Sequence, residues 1–273
     1  MFTYFFSYQT DLPANLGFQM YGIKHILWLL GIAAFLSLCC LAFYRQKDNA
    51  REFILNAVVL GALFMTFSQD VVLVVTGHMN TGMLPLHLCD LASFVFLIQR
   101  MAYQRERCSI KISDEPYSYS RQKNFCISAI LGEIGVCLLM PGAILGILFP
   151  VWTPYPMLNF MTIHGFVYHG LIILYPLLLL TDKEVYPQLK HIWYTVVFLL
   201  CIVPPVLWFD RKFGSNYMYL NYGPAGTPLY ILEKKMGNPG YLWGYAAAIF
   251  LAVLLVYGFI GIFLPGKRRH IYS

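Results

Sequence analysis

The sequence predicts an all-α, polytopic integral membrane protein: seven transmembrane helices, N-terminus extracytoplasmic, C-terminus cytoplasmic. Three observations lead there. The 273 residues are 59% hydrophobic and only 12% charged, against roughly 25% charged residues in a soluble domain. The apolar residues gather in runs of about 20, the length a helix needs to cross a hydrocarbon core of roughly 30 Å. Lys and Arg gather between alternate runs, as they do in loops that stay in the cytoplasm. An aromatic content of 17% without low-complexity tracts excludes disorder and fibrous repeats.

The runs extend from Ile23 to Tyr44, Phe53 to Gly77, Leu84 to Tyr103, Phe125 to Phe149, Leu158 to Thr181, His191 to Phe209 and Tyr241 to Leu264. The first is kept as a helix, because Met1 to Gly22 has no basic n-region and Asp11 and Pro13 interrupt it, unlike a signal peptide. Arg45, Lys47 and Arg51 follow the first run, Arg100 lies at the end of the third, and Arg105, Arg107, Lys111, Arg121 and Lys123 follow it. Lys183 and Lys190 follow the fifth, and Lys267, Arg268 and Arg269 follow the seventh. All four stretches fall on one side. The connections around His78 and Trp152 carry no Lys or Arg. The formal net charge of +6 is therefore read as topology and attraction to anionic lipid, with no nucleic-acid partner. The whole chain, 1–273, reads as one transmembrane domain, with residues 210–240 a long extracytoplasmic loop before the last helix. A multi-pass protein of the plasma membrane is expected.

Pro204-Pro205 is expected to kink or end the sixth helix, and Pro141-Gly142 to bend the fourth. Gly132, Gly135, Gly142 and Gly146 are expected to let helices approach closely. Seven cysteines, mostly within apolar runs, show neither a disulfide framework nor a CxxC motif. Cys108 is a possible palmitoylation site.

Ionisable side chains inside membrane helices are costly and mark functional sites. Asp70 near the outer end of the second helix, His87, Cys89 and Asp90 opening the third, and His164 and His169 in the fifth stand at similar depth. Topology alone thus predicts a water-accessible cavity facing the outer leaflet. Glu133, nearer the cytoplasmic end of the fourth helix, is either a structural partner or a deeper part of that cavity. Helical periodicity puts His87 and Asp90 on one face and turns Cys89 about 160° from His87. A base for Cys89 must then come from another helix, and His169 or His164 can supply it if the third and fifth helices are neighbours. Cys89 is otherwise a packed thiol, and His87 and Asp90 an interhelical pair. His164 and His169 lie about 140° apart, so one of them is structural. A metal site would need an unusual ligand spacing, and none is expected. Asn216-Tyr217 begins an aromatic stretch in the long loop, which reads as a binding lid or as tyrosines at the headgroup level.

Four motifs in order carry a resemblance: Gly22-Ile23-Lys24-His25, Leu84-Pro85-Leu86-His87-Leu88-Cys89, His169-Gly170-Leu171-Ile172-Ile173 and Asn216-Tyr217. Together they resemble the YwaF-like integral membrane proteins, related to the animal transmembrane protein 164 acyltransferase, which remodels phospholipid acyl chains and uses a cysteine. The resemblance implies an acyl-thioester on Cys89, with His169 the matched histidine and His87 and Asn216 supporting it. Asp70, Asp90, His164, Asn216 and Tyr217 would line the substrate site. Membrane lipids would be the substrates, and no cofactor is implied. The rival expectation is a transporter or channel using Asp70, Glu133 and the histidines, against which stands the lack of an internal repeat. The oligomeric state is not legible.

Overall fold

The computed structural model describes residues 3–13, 15–112 and 126–263. All regular structure among them is helical: α1 (Ile23–Tyr44), α2 (Asp48–Val75), α3 (Leu88–Ile112), α4 (Ile127–Ile134), α5 (Met140–Leu148), α6 (Phe160–Thr181), α7 (Ile192–Phe213), α8 (Pro228–Met236) and α9 (Tyr241–Phe263). A π-helical turn, Gly135–Leu139, joins α4 to α5, so the two run on as one rod. Pro141 explains the turn's position. It has no N–H for the carbonyl four residues back, and the wider i→i+5 pattern just before it absorbs the mismatch.

Among the described residues, six helical stretches are long and apolar enough to cross a membrane: α1, α2, the α4–α5 rod, α6, Leu189–Phe213 and α9. The chain is thus a multi-pass integral membrane protein. α3 has 25 residues but carries Asp90, Arg100, Arg105, Glu106 and Arg107, which keep it below that apolarity. Expected and observed segments otherwise agree closely. The third helix starts at Leu88 rather than Leu84, the sixth passes through Pro204-Pro205 to Phe213, and the long loop contains the unexpected α8.

The helices divide by what they bury. Apolar side chains of α1 (Leu27, Leu30, Leu38, Leu41), α7 (Leu200, Trp208) and α9 (Phe250, Leu255, Phe259) point outward, as they do where the solvent is hydrocarbon. α6 is the central post: 67% of its most apolar window is buried against 11% for α1. It packs against α1, α2, α3 and α5, while α3 packs on α2 and α4, and α9 joins through the π turn, α7 and α8.

One end of the bundle is ionic. Arg100, 3% exposed, donates from Nη1 to both oxygens of Glu184 (3.0 and 3.2 Å) and from Nε to Asn56 Oδ1 (3.0 Å). Arg107 pairs with Glu52, and Arg51 Nη1 donates to Asp182 Oδ1 at 2.9 Å. Arg51, Arg100 and Arg107, counted in the sequence among the charges of one membrane side, bind carboxylates of their own chain. Burial pushes the Glu184 carboxyl above the usual range, and the Arg100 guanidinium opposes that shift. Cys108, Lys111, Arg121, Lys123 and Lys267 to Arg269 lie outside the described side chains.

The opposite end is covered by the N-terminal segment. Asn159 caps α6 by accepting from Met161 N–H at 2.8 Å, and its Nδ2 donates to the carbonyls of Tyr4 (2.7 Å) and Ser7 (2.9 Å). His25 clasps the same end: its Nδ1 accepts from Tyr21 N–H at 2.9 Å and its Nε2 donates to Ile147 O at 2.8 Å.

Candidate active site

Pro85 and the turn before it set where α3 begins. Leu91 N–H donates to His87 O, so His87 is the N-cap, and the Asp90 carboxylate three residues on accepts from His87 N–H at 3.1 Å. This is half of a capping box. His87 therefore lies outside the regular helix, and the expected 160° separation from Cys89 does not apply. Cys89 occupies the first turn, where the N–H groups of Leu88, Cys89 and Asp90 have no intrahelical carbonyl.

The third and fifth predicted helices, α3 and α6, are neighbours, which meets the condition for a base from α6. Tyr168 OH donates to Cys89 O at 2.9 Å and lies 2.8 Å from Thr66 Oγ1, binding α6, α3 and α2 together. The next residue, His169, donates from Nδ1 to Gly165 O at 2.7 Å. A carbonyl can only accept, so the proton sits on Nδ1 and Nε2 keeps its lone pair. Trp152 packs against this ring with centroids 5.1 Å apart.

His87 has the complementary arrangement. Its Nδ1 accepts from Met218 N–H at 3.2 Å, so the neutral ring carries its proton on Nε2. Tyr217 and Tyr219 hold the ring, with centroids 5.1 and 5.7 Å away. Nε2 of His87 and Nε2 of His169 make no hydrogen bond with described residues, and neither is a buried unpartnered atom. Both therefore reach accessible space.

His87, Cys89, Asp90, His169, Tyr219 and Tyr245 are each half-buried, as is Asp70 on α2. Tyr245 and Leu88 pack against the apolar group formed by Tyr217, Met218 and Leu220.

Other expected site residues are committed elsewhere. His164 is 4% exposed, and its Nε2 donates to Met65 O at 2.8 Å, a clasp between α6 and α2. Asn216 Oδ1 accepts from Asn221 N–H (3.0 Å) and Tyr222 N–H (3.1 Å), and Nδ2 donates to Tyr222 O (3.0 Å). Its amide folds its own loop rather than facing Cys89. Tyr217 OH accepts from Leu84 N–H at 2.6 Å and donates to Thr81 O at 2.8 Å, pinning the entry to α3. Glu133 receives His191 Nδ1 at 2.8 Å near the ends of α7 and α9.

Sequence reasoning missed Asp210, Tyr219 and Tyr245. Asp210 is fully buried, accepting at Oδ1 from Ser215 Oγ (2.6 Å) and Tyr217 N–H (2.9 Å). Beside Arg211 and Lys212 it reads as part of a solvated charge cluster. The αL-prone Gly214 four residues later was the signal that the helix continues past it.

A cysteine at a helix start, a histidine with an open lone pair on the neighbouring helix and an N-cap histidine with a free N–H are residue types suited to nucleophilic acyl chemistry. No curated protein and no solved structure matches the chain. The family model described as TMEM164 does, over residues 20–257, and the chain belongs to the TMEM164 family.

Proposed function

We propose that the chain is a membrane acyltransferase that moves a fatty acyl chain between lipids through a thioester on Cys89. The reading takes α3 as a seventh crossing, with the N-terminus and the cleft on the extracytoplasmic side of the plasma membrane and the C-terminus in the cytoplasm. What supports it is that Tyr168 OH ties α6 to the backbone of Cys89 in the first turn of α3, while the adjacent His169 and the N-cap His87 each keep Nε2 out of hydrogen bonds among the described residues; the reading takes these three groups to open on one cleft. His169 Nε2 takes the Cys89 thiol proton as sulfur attacks the ester carbonyl of a donor lipid. The carbonyl oxygen gains negative charge near the His87 Nε2–H and the unpaired N–H groups of the first turn of α3, which offer an oxyanion site. Collapse expels the lyso-lipid alkoxide, which takes the proton back from His169, leaving acyl-Cys89. A hydroxyl of a second lipid attacks the thioester with His169 accepting its proton, and the sulfur leaves and is reprotonated.

Labelling cells with an alkynyl fatty acid and treating the purified protein with neutral hydroxylamine tests this. A labile label that persists in Cys108→Ala, is lost in Cys89→Ala and falls on the order of 10²-fold in forming rate in His169→Ala is expected. A label absent from the wild type, or unaffected by Cys89→Ala, overturns it.

A further inference from the structure

Asp210 is buried at 0% exposure near the end of α7, away from the accessible surface of the cleft. Its Oδ1 gathers two donors, Ser215 Oγ at 2.6 Å and Tyr217 N–H at 2.9 Å, while Oδ2 makes no hydrogen bond among the described residues. The next residue along from Tyr217 supplies the N–H that reaches His87 Nδ1 at 3.2 Å. Met218 and Tyr219 both adopt left-handed backbone, with φ of 52° and 57°, a conformation that costs a non-glycine residue about 1–3 kcal/mol and persists only where its surroundings hold it. Besides the turn's own backbone bonds, Tyr219 N–H to Asn216 O (3.3 Å) and Leu220 N–H to Tyr217 O (3.1 Å), two side chains hold it: Asp210 on the Tyr217 side, and Tyr241 OH, which donates to Tyr219 O at 2.7 Å.

We propose that Asp210 is a positioning residue for His87, holding the left-handed turn at Met218 and Tyr219 so that the Met218 N–H occupies His87 Nδ1 and leaves Nε2–H as the donor in the cleft. Without that N–H the neutral ring is free to carry its proton on Nδ1 and present a lone pair where a hydrogen-bond donor is needed. The consequence for catalysis rests on the acyl-transfer reading; the consequence for the tautomer does not.

Two conservative variants separate geometry from charge. Asp210→Asn keeps an oxygen where Tyr217 N–H needs one and removes the charge, whereas Asp210→Glu keeps the charge and displaces the acceptor by a methylene. The full chain in nanodiscs, labelled with ¹⁵N-histidine and with the His87 signals assigned by difference from His87→Gln, reports the tautomer directly. Wild type and Asp210→Asn are expected to show the Nε2–H form, and Asp210→Glu a mixture. In acyl transfer, Asp210→Glu is expected to lose at least tenfold in kcat with KM within about twofold, approaching the 10²-fold or more that loss of an oxyanion donor costs. An unchanged His87 tautomer in Asp210→Glu, or loss of the Nε2–H form in Asp210→Asn, overturns the proposal. If no acyl-thioester forms in the wild type, the acyl-transfer reading fails while the tautomer measurement still decides the role of Asp210.

Discussion

A Cβ placed on Gly146 would stand 2.7 Å from both Cδ2 and Nε2 of His169, so the ring occupies room that only glycine leaves at that point of α5. Gly146→Ala forces the ring or the helix to shift, and a shift of about 1 Å in a reacting group costs on the order of 10²-fold in rate. The expected result is a transfer rate at least tenfold lower, measured in single turnover, with helicity by circular dichroism unchanged. The same contact shows what sequence could reach at this scale. The expectation that Gly146 serves close packing was legible from its place in an apolar run; its partner was not, because the partner depends on the rotation of α6 about its axis. His87 was misplaced for a related reason: periodicity assumed it was helical, whereas Asp90 turns back to cap its N–H. Asn216 sat in a matched motif, but a motif does not say whether an amide faces a substrate or its own loop.

Six of the seven expected runs were legible as helices long and apolar enough to cross a membrane, because runs of about 20 apolar residues have one structural solution in a bilayer. What escaped was how charge is distributed along α3. Arg100 follows an apolar run and so looks like its cytoplasmic boundary, yet α3 continues through it and buries it against Glu184. Removing one partner of such a pair strands the other charge, at a cost of about 3–5 kcal/mol. Glu184→Ala is therefore expected to lower the unfolding midpoint in detergent strongly. Arg107→Ala, whose side chain is 31% exposed, should cost no more than about 1 kcal/mol. Equal losses in the two variants would contradict the buried pairing. The π turn was equally hidden: Pro141 announced a disturbance in the helix, and the chain met it by widening a turn rather than by breaking.

For the whole molecule, the proposed orientation makes opposite predictions for two short loops. Asn80→Cys, in the turn between α2 and α3, is expected to gain reaction with a membrane-impermeant maleimide on intact cells, relative to the parent protein. Gln46→Cys, between α1 and α2, should gain it only after permeabilisation, and the reverse pattern would invert the topology. The proposed cleft draws on two groups of helices. Cys89 and His169 belong to α3 and α6 at the centre, whereas the Met218 N–H, Tyr219 and Tyr245 belong to the connection after α7 and to α9, with α8 packed on α9. Any parting of α7 and α9 from the central helices would widen the way in and at the same moment withdraw the N–H that fixes the His87 proton. Admission of a substrate and disarming of the histidine would then be one mechanical event, and the protein would be chemically ready only when shut.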